Sequence, residues 1–462
     1  MSPARKTAAV VTLAGVVAIG AFLLHRGHTA ASAAEPSAGV ASGGGVTMRA
    51  MLQSGMVLRG THDTYLALTL YAPGEAGSSR PPLDLAIVID RSGSMSGEKL
   101  AQAKQAAYQL LAELDARDHV AIVAYGSDVD TVFASQLATD EAKRAAQAAV
   151  ARIYDDGGTN LSGGLVAGAS EIFRARNPEA VGRIVLISDG IANEGLFASG
   201  DLQKLSADTA SRGVSITTVG VGLDFDERTM TSIANSGRGN YYFVESAAAL
   251  PQMFETEMAR LGATVATDVS VTFATTPGVQ VLEALGYPMY QHDGVYQVPV
   301  ADLYAGEHRK LVLRLRVSAE QAGTMPLGTF DARFRPVGAD DATRTSVTVS
   351  ARVTDSRDEW QAHIDRDAAR HIERALTAKA IDEATALYEK GHAAEATKTL
   401  RDRAADAAQM AQSIGYDGLE AEIQAATDKA DNNFKAAPQP ASTGGKRGRK
   451  ANISQARDLF KE

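Results

Sequence analysis

Along the chain the spacing of apolar residues changes three times, and each change marks a different kind of structure. From Val46 to Tyr71 the period is two: Leu66, Leu68 and Leu70 alternate with Ala67 and Thr69, the pattern of a half-buried strand. Pro73 to Pro82 is rich in Pro, Gly and Ser and marks a boundary. Short, almost wholly apolar runs follow at Leu85–Ile89, Val120–Tyr125, Ile184–Ile187 and Ile216–Val219. Such runs suit strands covered on both faces. Between them lie helical patterns: one from Glu98, with Leu100, Ala103, Ala107, Leu110, Leu111 and Leu114 on one face, then Asp140–Ile153, Leu161–Arg174, Leu202–Arg212, Glu227–Ser236 and Leu250–Leu261. This alternation predicts an α/β domain over residues 83–261, a doubly wound, mostly parallel sheet with helices on both faces.

After Gly262 the period returns to two. Val269, Val271 and Phe273 set one strand, Leu311 to Val317 another, and Phe330 to Phe334 and Val347 to Val353 two more, with turn signals at Pro277-Gly278 and Asp293-Gly294. Residues 262–355 therefore predict an antiparallel β-sandwich. The strands of residues 46–76 have no partner of their own, and an isolated hairpin is marginal. They are expected to join the later sandwich, which makes the α/β domain an insertion in it. Residues 356–434 are rich in Ala, Glu, Lys and Arg and predict a helical region, with Ile381–Lys390 and Ala393–Ala408 resembling one helical hairpin of tetratricopeptide type. Residues 435–462 read as a flexible basic tail around Lys446-Arg447-Gly448-Arg449-Lys450.

The N-terminus reads as a targeting signal. Arg5 and Lys6 precede an apolar run from Ala8 to Leu24, and Ala31-Ser32-Ala33 suits a signal peptidase. Residues 1–33 are either a cleaved signal peptide or a retained anchor through residues 8–24. Both place the protein outside the cytoplasm, in the periplasm or on the cell surface. Residues 34–45, with Gly43-Gly44-Gly45, read as a linker. The formal charge of -9 argues against a nucleic-acid binder. The absence of cysteine excludes disulfides, thiolate zinc sites and cysteine nucleophiles.

The sharpest chemistry is Asp90-Arg91-Ser92-Gly93-Ser94, directly after an apolar run. Its carboxylate and hydroxyls are hard oxygen ligands of the kind Mg²⁺ prefers. Gly157-Gly158-Thr159-Asn160 supplies a further hydroxyl and Ser188-Asp189-Gly190 a second carboxylate. Asp and Ser after a strand often serve only as turn or cap residues, but three such loops in series point to one site. Asp90 and Asp189 fall at the carboxyl ends of strands expected to be neighbours at the switch point of the sheet, where ligands bind in such folds.

These pieces resemble the von Willebrand factor type A domain and its metal-ion-dependent adhesion site, of the form Asp-x-Ser-x-Ser with a distant Thr and Asp. The resemblance covers about 180 residues and implies one divalent cation at Asp90, Ser92, Ser94, Thr159 and Asp189 (Mg²⁺, with Mn²⁺ or Ca²⁺ as alternatives). It implies direct contact through the three hydroxyls, with the two carboxylates often acting through water. A largely neutral ligand set leaves the cation electrophilic, so the expected partner is a protein supplying an Asp or Glu carboxylate. The resemblance also implies that the last helix, Leu250–Leu261, shifts when the site is occupied. The strand–insertion–strand layout and the run Asp302-Leu303-Tyr304-Ala305-Gly306-Glu307 are similar to large bacterial proteins with this domain, some labelled chloride channel homologues. Channel activity does not follow, since beyond the N-terminal run no apolar segment is long enough to span a bilayer.

The expectation is thus an exported adhesion or protein-binding module and not an enzyme. The alternatives are an envelope assembly scaffold with a structural metal and a metal-assisted hydrolase. The hydrolase lacks a general base apart from the metal-associated Asp residues. His363, Asp367 and His371, spaced by four, could hold a transition metal but read better as a solvated face beside Arg366 and Arg370. Asp224 and Asp226 read as loop and helix-cap residues.

Overall fold

The computed structural model describes residues 39–74, 80–175, 177, 179–189, 191–339 and 341–461; the expected leader lies outside them. The α/β domain is built on a six-stranded sheet in the order Arg238–Val244, Val214–Val221, Val181–Ser188, Leu83–Asp90, His119–Tyr125, Val129–Leu137. All neighbours are parallel except the last pair. Every residue of Leu83–Asp90 and Val181–Ser188 is buried, because the sheet is covered twice. Leu85, Ile87 and Ile89 pack with Leu100, Leu110 and Phe254 on one face. Ala86 and Val88 pack with Leu161, Leu165 and Ile172 on the other. The unbroken apolar runs follow directly from this two-sided burial.

Two strands of the sheet were not evident in the apolar pattern. In Val129–Leu137 only Phe133 is buried, as befits an edge. Arg238–Val244 closes the opposite edge.

The sandwich has a five-stranded sheet, Gly39–Gly43, Val46–Leu52, Gly60–Tyr71, His308–Ala319, Val279–Leu285, in that order. It faces a second sheet that contains Thr264–Thr275, Gly323–Pro336 and Thr343–Thr354. Gly60–Tyr71 pairs antiparallel with His308–Ala319, with Leu68 opposite Leu311 and Leu66 opposite Leu313. Leu66, Leu68 and Leu70 share a core with Phe273, Phe330 and Phe334. The chain thus enters the sandwich, leaves it for the α/β domain and returns. The glycine run expected as linker is instead a hairpin. Gly39–Gly43 pairs with Val46–Leu52 across Gly44 and Gly45, both at positive φ. The mirror-image turns that suit twisted antiparallel strands need that conformation, and glycine supplies it without strain.

The C-terminal region differs most from expectation. It forms helices Arg366–Glu389, Ala393–Ile414, Asp417–Ala436 and Thr443–Lys461. Ala368, Ile372 and Ala375 pack on Met51, Ala67 and Val312, the outer face of the sandwich. The basic cluster is part of the last helix and not a flexible tail. Lys446 pairs with Asp224 at 2.6 Å, Arg447 with Glu245, and Arg449 with Glu389 at 2.7 Å. Lys450 is buried over the Phe225 ring at 3.3 Å. Those acids lie far away in sequence, so local charge density suggested a solvated tail where there is a docked one. The expected His363–Asp367–His371 face is also broken. His363 ends one short helix, Arg357–Ala362, and the next starts at Arg366.

The α/β domain and the sandwich are joined through a buried polar cluster. Arg183, fully buried, donates to Asp302 at 2.9 Å and to Thr217 at 3.3 Å. Ser215 also donates to Asp302 at 2.9 Å. Glu257 accepts from Thr217 at 2.5 Å, Asn240 at 3.1 Å and Tyr242 at 2.7 Å. Burial opposes the charge on Arg183, but Tyr304, Asp302 and Glu257 outweigh it and raise its pKa. Glu257 belongs to Leu250–Gly262, so a shift of that helix would have to break these bonds. Removing one member of such a cluster strands the others. Asp302→Ala should lower stability by about 3–5 kcal/mol in denaturant unfolding; a loss below 1 kcal/mol would show that the cluster does not carry the joint.

His371 is half-buried on the inner side of its helix. Burial pushes its pKa down to about 4, and Lys310, Arg370, Arg374 and Arg49 act in the same direction. The unfolded chain takes up this proton near pH 6.5. Between those values the unfolded state binds more protons, so stability is lost as pH falls from 6.5 toward 4. His371→Gln should therefore lose less stability than wild type across this window, measured as urea midpoints at successive pH values.

Candidate metal centre

Asp90 ends the Leu83–Asp90 strand, and Ser188-Asp189 ends its parallel neighbour. Both carboxylates therefore arrive at the same edge of the sheet, at its switch point. Asp90 is fully buried. One of its oxygens accepts from the Ser92 backbone N–H at 2.8 Å and the other from the Ser188 hydroxyl at 2.6 Å. Burial pushes its pKa up, and these hydrogen bonds oppose the shift. With both oxygens engaged, Asp90 orients the loop and has only remaining lone pairs for a water or an ion.

From there a chain of hydrogen bonds runs outward. The Ser92 and Ser94 hydroxyls are 3.1 Å apart, and Ser94 donates to Asp189 at 2.7 Å. Gly93–Met95 is a single 3₁₀ turn, which holds the two serines on one side, and Met95 anchors it in the core. The loop bearing Thr159 is tied to the first by Gly93 N–H to the Gly157 carbonyl at 3.1 Å and Asp156 N–H to the Arg91 carbonyl at 2.7 Å. Asn193 accepts from the Thr159 backbone N–H at 2.8 Å. Four of the five expected residues are thus linked side chain to side chain or through the Ser92 backbone. Thr159 is buried beside them but, among the described residues, its hydroxyl makes no hydrogen bond to the other four.

A residue the sequence did not single out completes the picture. Lys99, on the first turn of Glu98–Glu113, pairs with Asp189 and donates to the Ser94 carbonyl at 3.2 Å. Its ammonium sits as a tethered cation on the oxygens expected to receive a metal. Among the described residues there is no cluster of three or more His, Cys, Asp or Glu side chains suited to a metal. The donor set here is hydroxyl-rich with two carboxylates. It fits a hard divalent cation that relies on oxygen and keeps water, and it does not fit a thiolate or imidazole metal.

Fold and site together define a doubly wound α/β domain with a hydroxyl–carboxylate centre at its switch point, inserted in a β-sandwich. Residues 84–256 match the von Willebrand factor type A domain, and the chain carries that domain. The Escherichia coli protein YfbK is 28% identical over 266 residues, 56% of this chain and 46% of that protein. Human inter-alpha-trypsin inhibitor heavy chain H2 is 28% identical over 168 residues, 34% of this chain and 17% of that one. The chain spans less than half the length of either relative. A von Willebrand factor type A structure from Catenulispora acidiphila aligns over 88% of this chain and 96% of its own, with a TM-score of 0.68 and 19% identity, a likeness of fold.

Lys99 occupies an Asp189 oxygen that a metal would need. Asp189 is buried, but Lys99 is 38% exposed and screened by water on that side, which holds the pair to about 1 kcal/mol, so Lys99→Met should tighten Mg²⁺ binding by up to about fivefold, read by calorimetric titration. Unchanged or weaker binding would remove Lys99 from the site.

Proposed function

We propose that this chain is a metal-dependent protein-binding module of adhesion type, acting outside the cytoplasm. The observation that carries the reading is the hydrogen-bonded run Asp90–Ser92–Ser94–Asp189 at the sheet's carboxyl edge, with an ammonium already seated on it. Asp90, Ser92, Ser94, Thr159 and Asp189 are the residues that would hold the ion, with Mg²⁺ the first candidate and Mn²⁺ or Ca²⁺ the alternatives. A divalent cation there would offer an open coordination position to an Asp or Glu carboxylate from a protein partner.

The surroundings support a partner. In the loop after Asp189, Ile191, Leu196 and Phe197 are 59%, 50% and 62% exposed. Tyr154, near the second loop, is 64% exposed. Large apolar side chains grouped around a polar centre suit an interface better than open water. The family commonly mediates metal-dependent protein interactions, which favours binding over hydrolysis. Export rests on the N-terminal sequence. Among the described residues no helix is long and apolar enough to cross a membrane. Against the scaffold alternative, in which the helical tail would dock a partner of its own, those helices already pack on the sandwich and on the type A domain.

The decisive experiment is capture from envelope extract by wild type and Asp189→Ala, each with Mg²⁺ and with EDTA. A partner retained only by wild type in Mg²⁺ is expected. Partners indifferent to both changes would leave the metal with a structural role and end the adhesion reading.

A further inference from the structure

A cleft of about 840 Å³, which shares no residue with the hydroxyl–carboxylate centre, lies where the edge of the type A sheet meets the sandwich. Tyr241, Tyr242 and Phe243 line it in succession. Successive side chains of a strand point to opposite faces, so a space that touches all three runs along the edge of the strand. That strand, Arg238–Val244, is the last of its sheet and pairs with Val214–Val221 on one side. Among the described residues no backbone hydrogen bond ties the other side of residues 241–243 to another element. The opposite edge of the sheet is better defended: in Val129–Leu137 the Ser135 N–H donates to Glu171 at 2.8 Å.

A helix flanks this edge on each face. Tyr242 turns to Leu250–Gly262, where its hydroxyl donates to Glu257 at 2.7 Å, and Tyr241 turns the other way, to Arg457 of the last helix. The first helix brings Arg260 to the cleft and the second Ser454 and Asp458. The far wall is the outer face of the five-stranded sheet. There Arg49, Thr69 and Lys310 form one cross-strand row, and Thr47, Tyr71 and His308 the next. Three cations thus line the space, Arg49, Arg260 and Lys310, with two carboxylates. Glu307 is already answered by Arg309 at 2.7 Å, which leaves Asp458. Arg260 is exposed and, among the described residues, makes no ion pair; Arg49 meets the exposed Asp367 at 3.8 Å. The balance is positive. Burial, then Lys310, Arg370, Arg374 and Arg49, hold the pKa of His371 in the same cleft down to about 4, the response of a covered ring in a positive field.

We propose that this cleft is a second binding surface, in which an extended acidic segment of a partner protein adds a strand to the edge at residues 241–243. An added strand takes up the backbone donors and acceptors that a sheet edge leaves over, and its side chains supply the specificity. Its carboxylates would meet Arg260 beside the edge and Arg49 and Lys310 on the far wall. Tyr71, stacked on His308 at 4.4 Å, offers a flat surface to its apolar residues. The volume suits a short segment and excludes a folded domain. No metal takes part, so this surface works independently of Asp189.

The probe is a capped, fluorescent peptide of alternating Glu and Val, titrated with the full chain in EDTA so that no carboxylate binds through a metal. A saturable rise in anisotropy at one peptide per chain is expected, and the same peptide with Lys in place of Glu should not bind. The exposed Arg260→Glu should weaken the Glu peptide by about tenfold and gain affinity for the Lys peptide. N-methylation at alternate residues removes backbone donors on one side of the peptide; of the two alternate sets, one should bind at least about tenfold more weakly than the parent. No binding, or equal binding of the Glu and Lys peptides, would overturn the proposal. Two N-methylated sets that both bind like the parent would leave charge attraction alone and overturn strand addition. Mg²⁺ should leave the affinity unchanged. Binding that appears only with Mg²⁺ would place the peptide at the hydroxyl–carboxylate centre, overturning this surface while leaving the adhesion reading intact.

Discussion

The position of everything else depends on one buried guanidinium. Arg183 sits in the middle of the type A sheet and reaches out of it to Asp302 in the sandwich. An unpaired arginine at that depth would not be tolerated, so the partner must be present and correctly placed. Asp302 in turn is held by Ser215, and its backbone carbonyl accepts from Arg309. Around Arg183, Glu257 fixes the last helix of the domain to the same cluster. At the other crossing between the two parts, Arg80 donates to both oxygens of Asp118, at 2.8 and 2.6 Å. The inserted domain is therefore clamped at its core and at its entry, which leaves the opposite edge of the sheet free to carry the hydroxyl–carboxylate centre.

Much of this was legible in the sequence where one residue type at one spacing has one meaning. Leu85–Ile89 reads as a strand covered on both faces because its run is wholly apolar, and the strand around it is buried throughout. Asp90, Ser92 and Ser94 read as a site because two further loops, those of Thr159 and Asp189, follow in series with them; one such loop alone would read as a turn or a cap. Legibility failed where the partner is remote. Nothing near Lys450 announces that Phe225 and Glu227 will enclose it. Nothing near Arg183 announces Asp302. The hairpin at Gly44-Gly45 was missed for another reason: flexible linkers and tight mirror-image turns ask for the same residue.

The centre itself shows why a lysine could escape notice. Lys99 belongs by pattern to a solvated helix face, and it is 38% exposed at the side chain. Only the fold brings the first turn of that helix over Asp189. The result is a site whose oxygens have an internal cation within reach, so the protein need not leave a carboxylate uncompensated when no metal is present. Ser92 and Ser94 are tuned the same way, since each hydroxyl can turn toward a neighbour or toward an ion.

The strand Gly60–Tyr71 carries a consequence for how the chain is made. Its Asp63 bonds to Arg314, 251 residues further along, and its leucines face a core that is completed from that side. During synthesis it emerges long before its partner. In the interval it is an apolar strand with an open edge, the kind of surface that chaperones hold and that aggregates recruit. The type A domain shortens the wait in space if not in time. Once folded, it holds its entry through Arg80 and Asp118, and Arg80 lies against Gly262 at its exit, so the returning strands start close to their partner.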